Sequence, residues 1–339
     1  DDNNGYVDDI HGYDFVNEDS DPDDDHSHGT HVAGIIGASG NNGLGVAGMN
    51  WSCSIMALKA FTDSGSCRTG DCVDSVLAVN YATMMATRPT NPVDVRVINA
   101  SWGMSVFSTC MYDAIRAAGN AGILLVASAG NDGQDNDTIP HYPSNYALDN
   151  IIAVAATTHD DELWADSNYG DVNVDLGAPG VTVYSTILGS GYGYKSGTSM
   201  AAPHVSGAAA LGLAIKPDAT YGQVRDAILD NVDALDDLDG ECVTGGRLNA
   251  NKMLLDLQEM TNTAPVLSDG AVTPLDGDAE DSYEFRVHYF DPDGDEPVLR
   301  EVHVVGGPTY QLAWDPGSGS RSNGEYFYNM HLDAGIYTH

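Results

Sequence analysis

Four short, mostly apolar runs alternate with segments of helical spacing, and this alternation constrains the fold more than any other feature of the chain. The runs are 54–60 (SIMALKA), 95–100 (VRVINA), 122–127 (GILLVA) and 151–156 (IIAVAA). Between them, Cys72–Met85 and Tyr112–Ala118 carry apolar residues at helical intervals. Strands that are apolar on both faces and separated by helices predict a parallel sheet covered on both sides. The expected class is α/β, a three-layer αβα domain, with function at the carboxyl ends of the strands. Thr198–Ala214, mostly small and apolar, predicts a buried central helix. Tyr221–Val232 and Asn249–Leu257 predict closing amphipathic helices.

The pattern changes at Thr261-Asn-Thr-Ala-Pro265. Beyond it the period is two: Tyr283, Phe285, Val287 and Tyr289 share a face, as do Val302 and Val304, and Tyr326, Tyr328, Met330 and Leu332. Gly, Pro and Asp turns separate these runs, which predicts a small antiparallel β-sandwich. The expected domains are 1–258 and 259–339.

Charge and cysteines bound the function. The 339 residues hold 50 acidic and 13 basic side chains, a formal charge of −37. Such a field excludes nucleic acid and anionic membrane surfaces as partners, because both require basic patches. No apolar run reaches the length of a membrane span. Cys67 and Cys72 flank a short polar loop that a disulfide could close, and the five cysteines fit no paired zinc spacing. The cysteines lean only weakly toward a secreted protein.

Three small-residue blocks carry chemistry. Gly197-Thr-Ser-Met-Ala-Ala202, followed by Pro203-His204, sets a serine at the head of the predicted central helix, where backbone amides can face an oxyanion. Ser27-His-Gly-Thr-His-Val-Ala-Gly34 offers a base, and Ala127-Ser-Ala-Gly-Asn-Asp-Gly133 offers an amide donor. A serine hydroxyl is inert until a base within hydrogen-bond reach takes its proton. The trio reads as a serine hydrolase: Ser199 as nucleophile, His28 as general base, Asn131 as oxyanion donor. His31 and His204 read as packed residues.

These blocks together resemble the subtilisin-like serine peptidases, the subtilases, over about Asp1 to Leu257. The resemblance implies an endopeptidase working through an acyl-enzyme on protein or peptide substrates. It also implies that Ser101-Trp102-Gly103 pairs with extended peptide and walls the primary pocket, with Ser128-Ala129-Gly130 opposite. The Tyr142-Pro143 pair resembles the family's block at the pocket floor, and that resemblance implies His141 near the floor, Asp132 near the rim, and a shallow, polar pocket. Asn41-Asn-Gly-Leu-Gly-Val46 resembles a calcium loop of the family, with the Asn42 side chain and the Leu44 and Val46 carbonyls as ligands. Calcium would be structural, and the chemistry requires no cofactor. The later module resembles Ig-like or PKD-like accessory domains, fitted to a surface or a polysaccharide.

One member of the triad is not found. Subtilases carry their aspartate in an Asp-Thr/Ser-Gly block upstream of the histidine, and none precedes His28. Asp25 is near in sequence but is not a buried strand-end carboxylate, so no Asp is assigned. The expectation is an N-terminally truncated chain, with turnover reduced on the order of 10⁴, a magnitude borrowed from a subtilisin.

Rival readings are a catalytically inactive scaffold and a zinc hydrolase using His26, His28 and His31. Further calcium candidates are Asp2–Asp8 and Asp291-Pro-Asp-Gly-Asp295. A phosphate loop is excluded, since Gly189-Ser-Gly-Tyr-Gly-Tyr-Lys-Ser196 lacks the required spacing.

Overall fold

The computed structural model describes residues 4–65, 73–260, 266–273, 282–290, 301–303, 309–315, 318 and 323–331. The chain divides into two units, Asp1–Glu259 and Met260–His339. The first begins β1 (Gly12–Asp14), α1 (His28–Gly37), β2 (Ala57–Lys59), α2 (Val73–Thr87), β3 (Val97–Ala100), α3 (Thr109–Asn120), β4 (Leu124–Ser128) and β5 (Ile151–Thr157). It continues β6 (Leu176–Pro179), β7 (Val183–Ile187), β8 (Gly191–Lys195), α4 (Thr198–Ile215), α5 (Tyr221–Asp230), β9 (Asp233–Ala234), β10 (Gly246–Arg247) and α6 (Ala250–Glu259).

Alternation along the strands explains the three layers. On β4, Leu124 and Val126 face one way and pack with Ala201, Ala202, Val205 and Ala208 of α4, while Leu125 and Ala127 face the other and join Met111, Ile115 and Ala118 of α3. β5 divides similarly, Ile152 and Val154 toward α4 and Ile151 toward α3. Each large apolar side chain fully withdrawn from water contributes about 1.5–3 kcal/mol. The alanines of α4 let it lie close to the sheet. Its glycines do the same elsewhere: a Cβ on Gly207 would come within 2.5 Å of the Met49 side chain.

Strands β3-β4-β5-β6 are parallel neighbours, and β10 and β9 extend the sheet beyond β6. β1 and β2 form a separate parallel pair. Among the described residues, β3 pairs only with β4 and β2 only with β1, so each has an open edge. The carboxyl ends of β2 and β3 approach one another, where the rings of Phe61 and Trp102 lie 5.8 Å apart. β7 and β8 form an antiparallel hairpin that the sequence pattern did not anticipate.

The second unit is all-β among its described residues: β11 (Val266–Thr273), β12 (Ser282–Phe290), β13 (Glu301–His303), β14 (Thr309–Gln311), β15 (Ala313–Trp314) and β16 (Asn323–His331). One antiparallel sheet has the order β11-β12-β16-β15, and β13 pairs with β14. The two long period-two runs meet in register, with Phe285 opposite Tyr328 and Val287 opposite Tyr326. The Cys67–Cys72 loop, the Thr261–Pro265 junction and the Asp291–Asp295 turn lie outside the described residues.

Candidate active site

Helix α4 builds the centre of the site. Ser199 is its second residue, after Gly197, whose φ of 147° suits glycine. Pro203 lies within the helix and has no N–H, so the carbonyl of Ser199, four residues earlier, is left without its helical donor. Ser101, just past β3, fills the vacancy: its Oγ donates to the Ser199 carbonyl at 2.8 Å. In return the Ser199 Oγ donates to the Ser101 carbonyl at 3.2 Å. Ser101 is held by Asn99, whose Nδ2 donates to its Oγ at 2.9 Å, and Asn99 accepts from Ser206 of α4 at 2.8 Å. β3 and α4 are thereby pinned together at the nucleophile.

Asn131 is set by the same helix. Its Oδ1 accepts from the Thr198 N–H at 2.8 Å and the Thr198 hydroxyl at 3.0 Å. Two donors on one oxygen fix the amide orientation and leave Nδ2 as the free donor, with no partner among the described residues. The loop carrying Asn131 is held from below. Asn168 Oδ1 accepts from the Asp132 and Gln134 amides at 2.9 and 3.2 Å, and its Nδ2 donates to the fully buried Asn136 at 3.0 Å. Gly130, at φ 117°, allows this: a Cβ there would sit 2.3 Å from Asn168 Nδ2.

His28 opens α1, which packs against the start of α4 through Val32, Ile35 and Met200. The helix start is capped from outside, since Asp24 accepts from the His26, Ser27 and Thr30 amides at 2.8, 3.0 and 2.7 Å and from the Thr30 hydroxyl at 2.6 Å. Burial works to raise the Asp24 pKa, but these hydrogen bonds outweigh it and hold the carboxyl below its ordinary value. Burial, with the Lys195 ammonium and His26 beside it, lowers the His28 pKa to about 4, against the pull of Asp24. His28 is therefore neutral near pH 7, the form that accepts a proton. Among the described residues it has no hydrogen bond to a carboxylate. Asp25 turns instead to Lys59, at 2.8 Å.

The zinc reading fails on geometry. His31 is fully buried, and its Nε2 lies 3.1 Å from the carbonyls of both Val183 and Gly193, tying α1 to the β7–β8 hairpin. It points away from His26 and His28, whose rings are 6.3 Å apart. Among the described residues no three His, Cys, Asp or Glu side chains converge as a metal site. His204, with Nδ1 2.9 Å from the Met200 carbonyl, is packed within α4.

The remaining assigned residues surround the trio. Trp102 is half-buried against Phe61, and Gly103 lies under the His141 imidazole, where an added Cβ would meet Cε1 at 1.9 Å. His141 Cδ2 is 3.3 Å from the equivalent point on Gly130, so its ring occupies the gap between the two segments. Burial lowers its pKa, against Asp132. Ser128 and Ala129 are buried, which leaves their backbone as the part that can face a ligand, while Asp132 is exposed. In the 39–47 loop, Asn42 Oδ1 already accepts from the Leu44 N–H at 2.9 Å. Asn42, Leu44 and Val46 supply three oxygens and no carboxylate, short of the six to eight that calcium takes.

Sequence reasoning did not single out Asn99, Thr198, Asp24, Asn168 or Lys195. Two of these had local signals: Thr198 adjoins the nucleophile, and Asn99 is two residues before Ser101 on the same strand face. Asn168 has none, because it meets Asp132 across 36 residues.

A sequence profile of the subtilase family matches residues 1–254. The chain is 38% identical to thermitase of Thermoactinomyces vulgaris, over 72% of this chain and 80% of thermitase. It is 44% identical to a thermophilic serine proteinase of Bacillus sp. strain AK1, over 60% of this chain. It spans 46% of that protein's length, and about half or less of other curated relatives. A solved cold-adapted subtilisin-like serine proteinase superposes with a TM-score of 0.61 at 31% identity, covering 70% of this chain and 80% of that one.

Proposed function

The chain belongs to the subtilase family, and on that premise we propose that it is a secreted serine endopeptidase acting through Ser199, His28 and Asn131. The Ser199 hydroxyl turns from the Ser101 carbonyl toward His28, which takes its proton as Oγ attacks the scissile carbonyl carbon. The oxygen of that carbonyl gains charge between Asn131 Nδ2 and the Ser199 N–H at the positive end of α4. His28 returns the proton to the leaving amine, and the C–N bond breaks to give an ester on Ser199. Water, deprotonated by His28, then releases the acid.

The observation that carries this reading is the Thr198–Asn131 anchor. It holds an otherwise rotatable amide, next to the nucleophile in the fold, whose Nδ2 has no partner among the described residues. A scaffold has no need of that arrangement.

The carboxylate that orients His28 belongs, in this proposal, to a strand seated between the open edges of β2 and β3. Extended substrate lies along Ser101–Gly103, with Ser128–Gly130 opposite, and the His141 ring keeps the pocket between them shallow and polar. Calcium at 41–46 is a structural proposal that requires a carboxylate from outside the loop, and no chemical step passes through it. The test is cleavage of a denatured protein by the full-length protein and by its Ser199→Ala variant. Cleavage by the first alone supports the peptidase. Equal cleavage, or none by a folded wild type, overturns it.

A further inference from the structure

Positive charge is scarce in this chain, and Lys195 has no carboxylate partner among the described residues. The four lysines are Lys59, Lys195, Lys216 and Lys252. Lys59 pairs with Asp14 and Asp25 at 3.2 and 2.8 Å, Lys216 with Asp218 at 3.2 Å, and Lys252 with Asp233 at 2.9 Å. Lys195 is half-buried, yet among the described residues no carboxylate lies within 4.0 Å of it. A partly desolvated ammonium without a counter-charge is unfavourable, and fifty acidic side chains were available to relieve it.

Its place in the fold gives the vacancy a direction. Lys195 ends β8, four residues before Ser199. Tyr192 and Tyr194 are exposed on one face of β8, where Tyr194 and Tyr184 lie 4.6 Å apart, so alternation sends Gly193 and Lys195 to the other face. The hairpin bearing them grips the first turns of α1. His31 reaches the Gly193 carbonyl at 3.1 Å, and the Ser185 and Thr186 hydroxyls donate to the His31 and Thr30 carbonyls at 2.8 Å. Lys195 is the strongest charged influence on His28, ahead of His26, Asp24 and His31. Asp24, the carboxylate that acts on His28, is occupied in capping α1.

Two halves of a substrate must separate at Ser199. The acyl half follows Ser101–Gly103 at the end of β3. His28 protonates the leaving amine, so the other half must pass His28 at the start of α1, the turn that the β7–β8 hairpin holds. We propose that Lys195 binds an acidic side chain in the leaving half of the substrate, so that this site favours peptides with Asp or Glu directly after the scissile bond. This rests on the peptidase reading of the same site and adds the substrate class.

The test uses the full-length protein and three peptides that are identical before the scissile bond and carry Glu, Gln or Lys after it. An ion pair in a partly exposed site of this kind should favour Glu over Lys by about three- to tenfold in kcat/KM. Lys195→Gln should level the series, and Lys195→Glu should reverse it, with the Gln peptide serving as internal reference for each variant's general competence. A series unchanged in both variants overturns the role of Lys195 while leaving the peptidase intact. Absence of turnover together with absence of covalent labelling at Ser199 overturns the peptidase reading, and this proposal with it.

Discussion

Ser101 and Ser199 are hydrogen-bonded in both directions, hydroxyl to carbonyl at 2.8 Å one way and 3.2 Å the other. The pair exists because Pro203 removes the N–H that the Ser199 carbonyl would otherwise receive. The strand end and the nucleophile-bearing turn are locked by a defect in the helix. Ser101→Ala should remove the donor to the half-buried Ser199 carbonyl and destabilise the fold by about 0.5–1.5 kcal/mol. Thermal unfolding checks the stability, and kcat/KM should fall by at least about tenfold as the turn loosens. An unchanged melting curve would contradict this role.

Thr198 anchors Asn131 through two donors to one oxygen. Thr198→Val deletes the hydroxyl donor and keeps the shape and the backbone N–H. Its kcat should fall with KM nearly unchanged, but by less than in Asn131→Ala. For the latter the expected loss is on the order of 10²–10³, a magnitude borrowed from a subtilisin. Steady-state kinetics on one peptide separates the two. A KM effect without a kcat effect would place Asn131 in substrate binding instead.

Gly130→Ala should be among the most damaging single substitutions. The new Cβ meets Asn168 Nδ2 at 2.3 Å, and φ 117° strains any side chain. A loss of about 1–3 kcal/mol is expected from the strain alone. It should appear as a lowered melting temperature with parallel loss of Ser199 labelling.

Acid should destabilise the first unit as its buried histidines are forced to take up protons. The His28 pKa is lowered to about 4 by burial, with Lys195 and His26 adding to it, and burial also lowers those of His31, His141 and His204. An unfolded histidine binds its proton near pH 6.5, so in this window the unfolded state holds more protons and stability falls as pH falls. Each such group contributes at most about 1.4 kcal/mol per pH unit once the unfolded form is protonated. Melting temperature should be level above pH 7 and decline from about pH 6.5 to 5. A rise over that interval would contradict the assignment.

Much of the fold was legible in the sequence. The runs at 95–100, 122–127 and 151–156 became β3, β4 and β5, because strands buried on both faces need continuous apolar sequence. Thr198–Ala214 became α4, since only small residues let a helix lie so close to a sheet. The β7–β8 hairpin was not legible: Tyr184, Tyr192 and Tyr194 are exposed and Gly191 and Gly193 interrupt the pattern, so no apolar period marks it. Ser199 falls at the start of α4 and Asn131 just past β4, as the pattern implied, while the helix that His28 opens was not anticipated. Their supports were hidden, because Asn99 to Ser206 and Asn168 to Asn136 are side-chain partnerships across 107 and 32 residues. Local patterns do not encode such distances.

Calcium offers a separate check. If an ion completes the 41–46 loop, excess calcium should raise the melting temperature in proportion to log concentration above its Kd, and chelation should reverse this without affecting labelling of Ser199 at low temperature. Identical melting curves with calcium and with chelator would remove the proposal.

The most direct measurement of the central claim is covalent labelling of the full-length protein by a fluorophosphonate probe, read by peptide mass mapping. The account predicts modification at Ser199, abolished in Ser199→Ala and strongly slowed in His28→Ala. A protein that unfolds cooperatively, and is therefore folded, yet takes up no probe at Ser199 would contradict it.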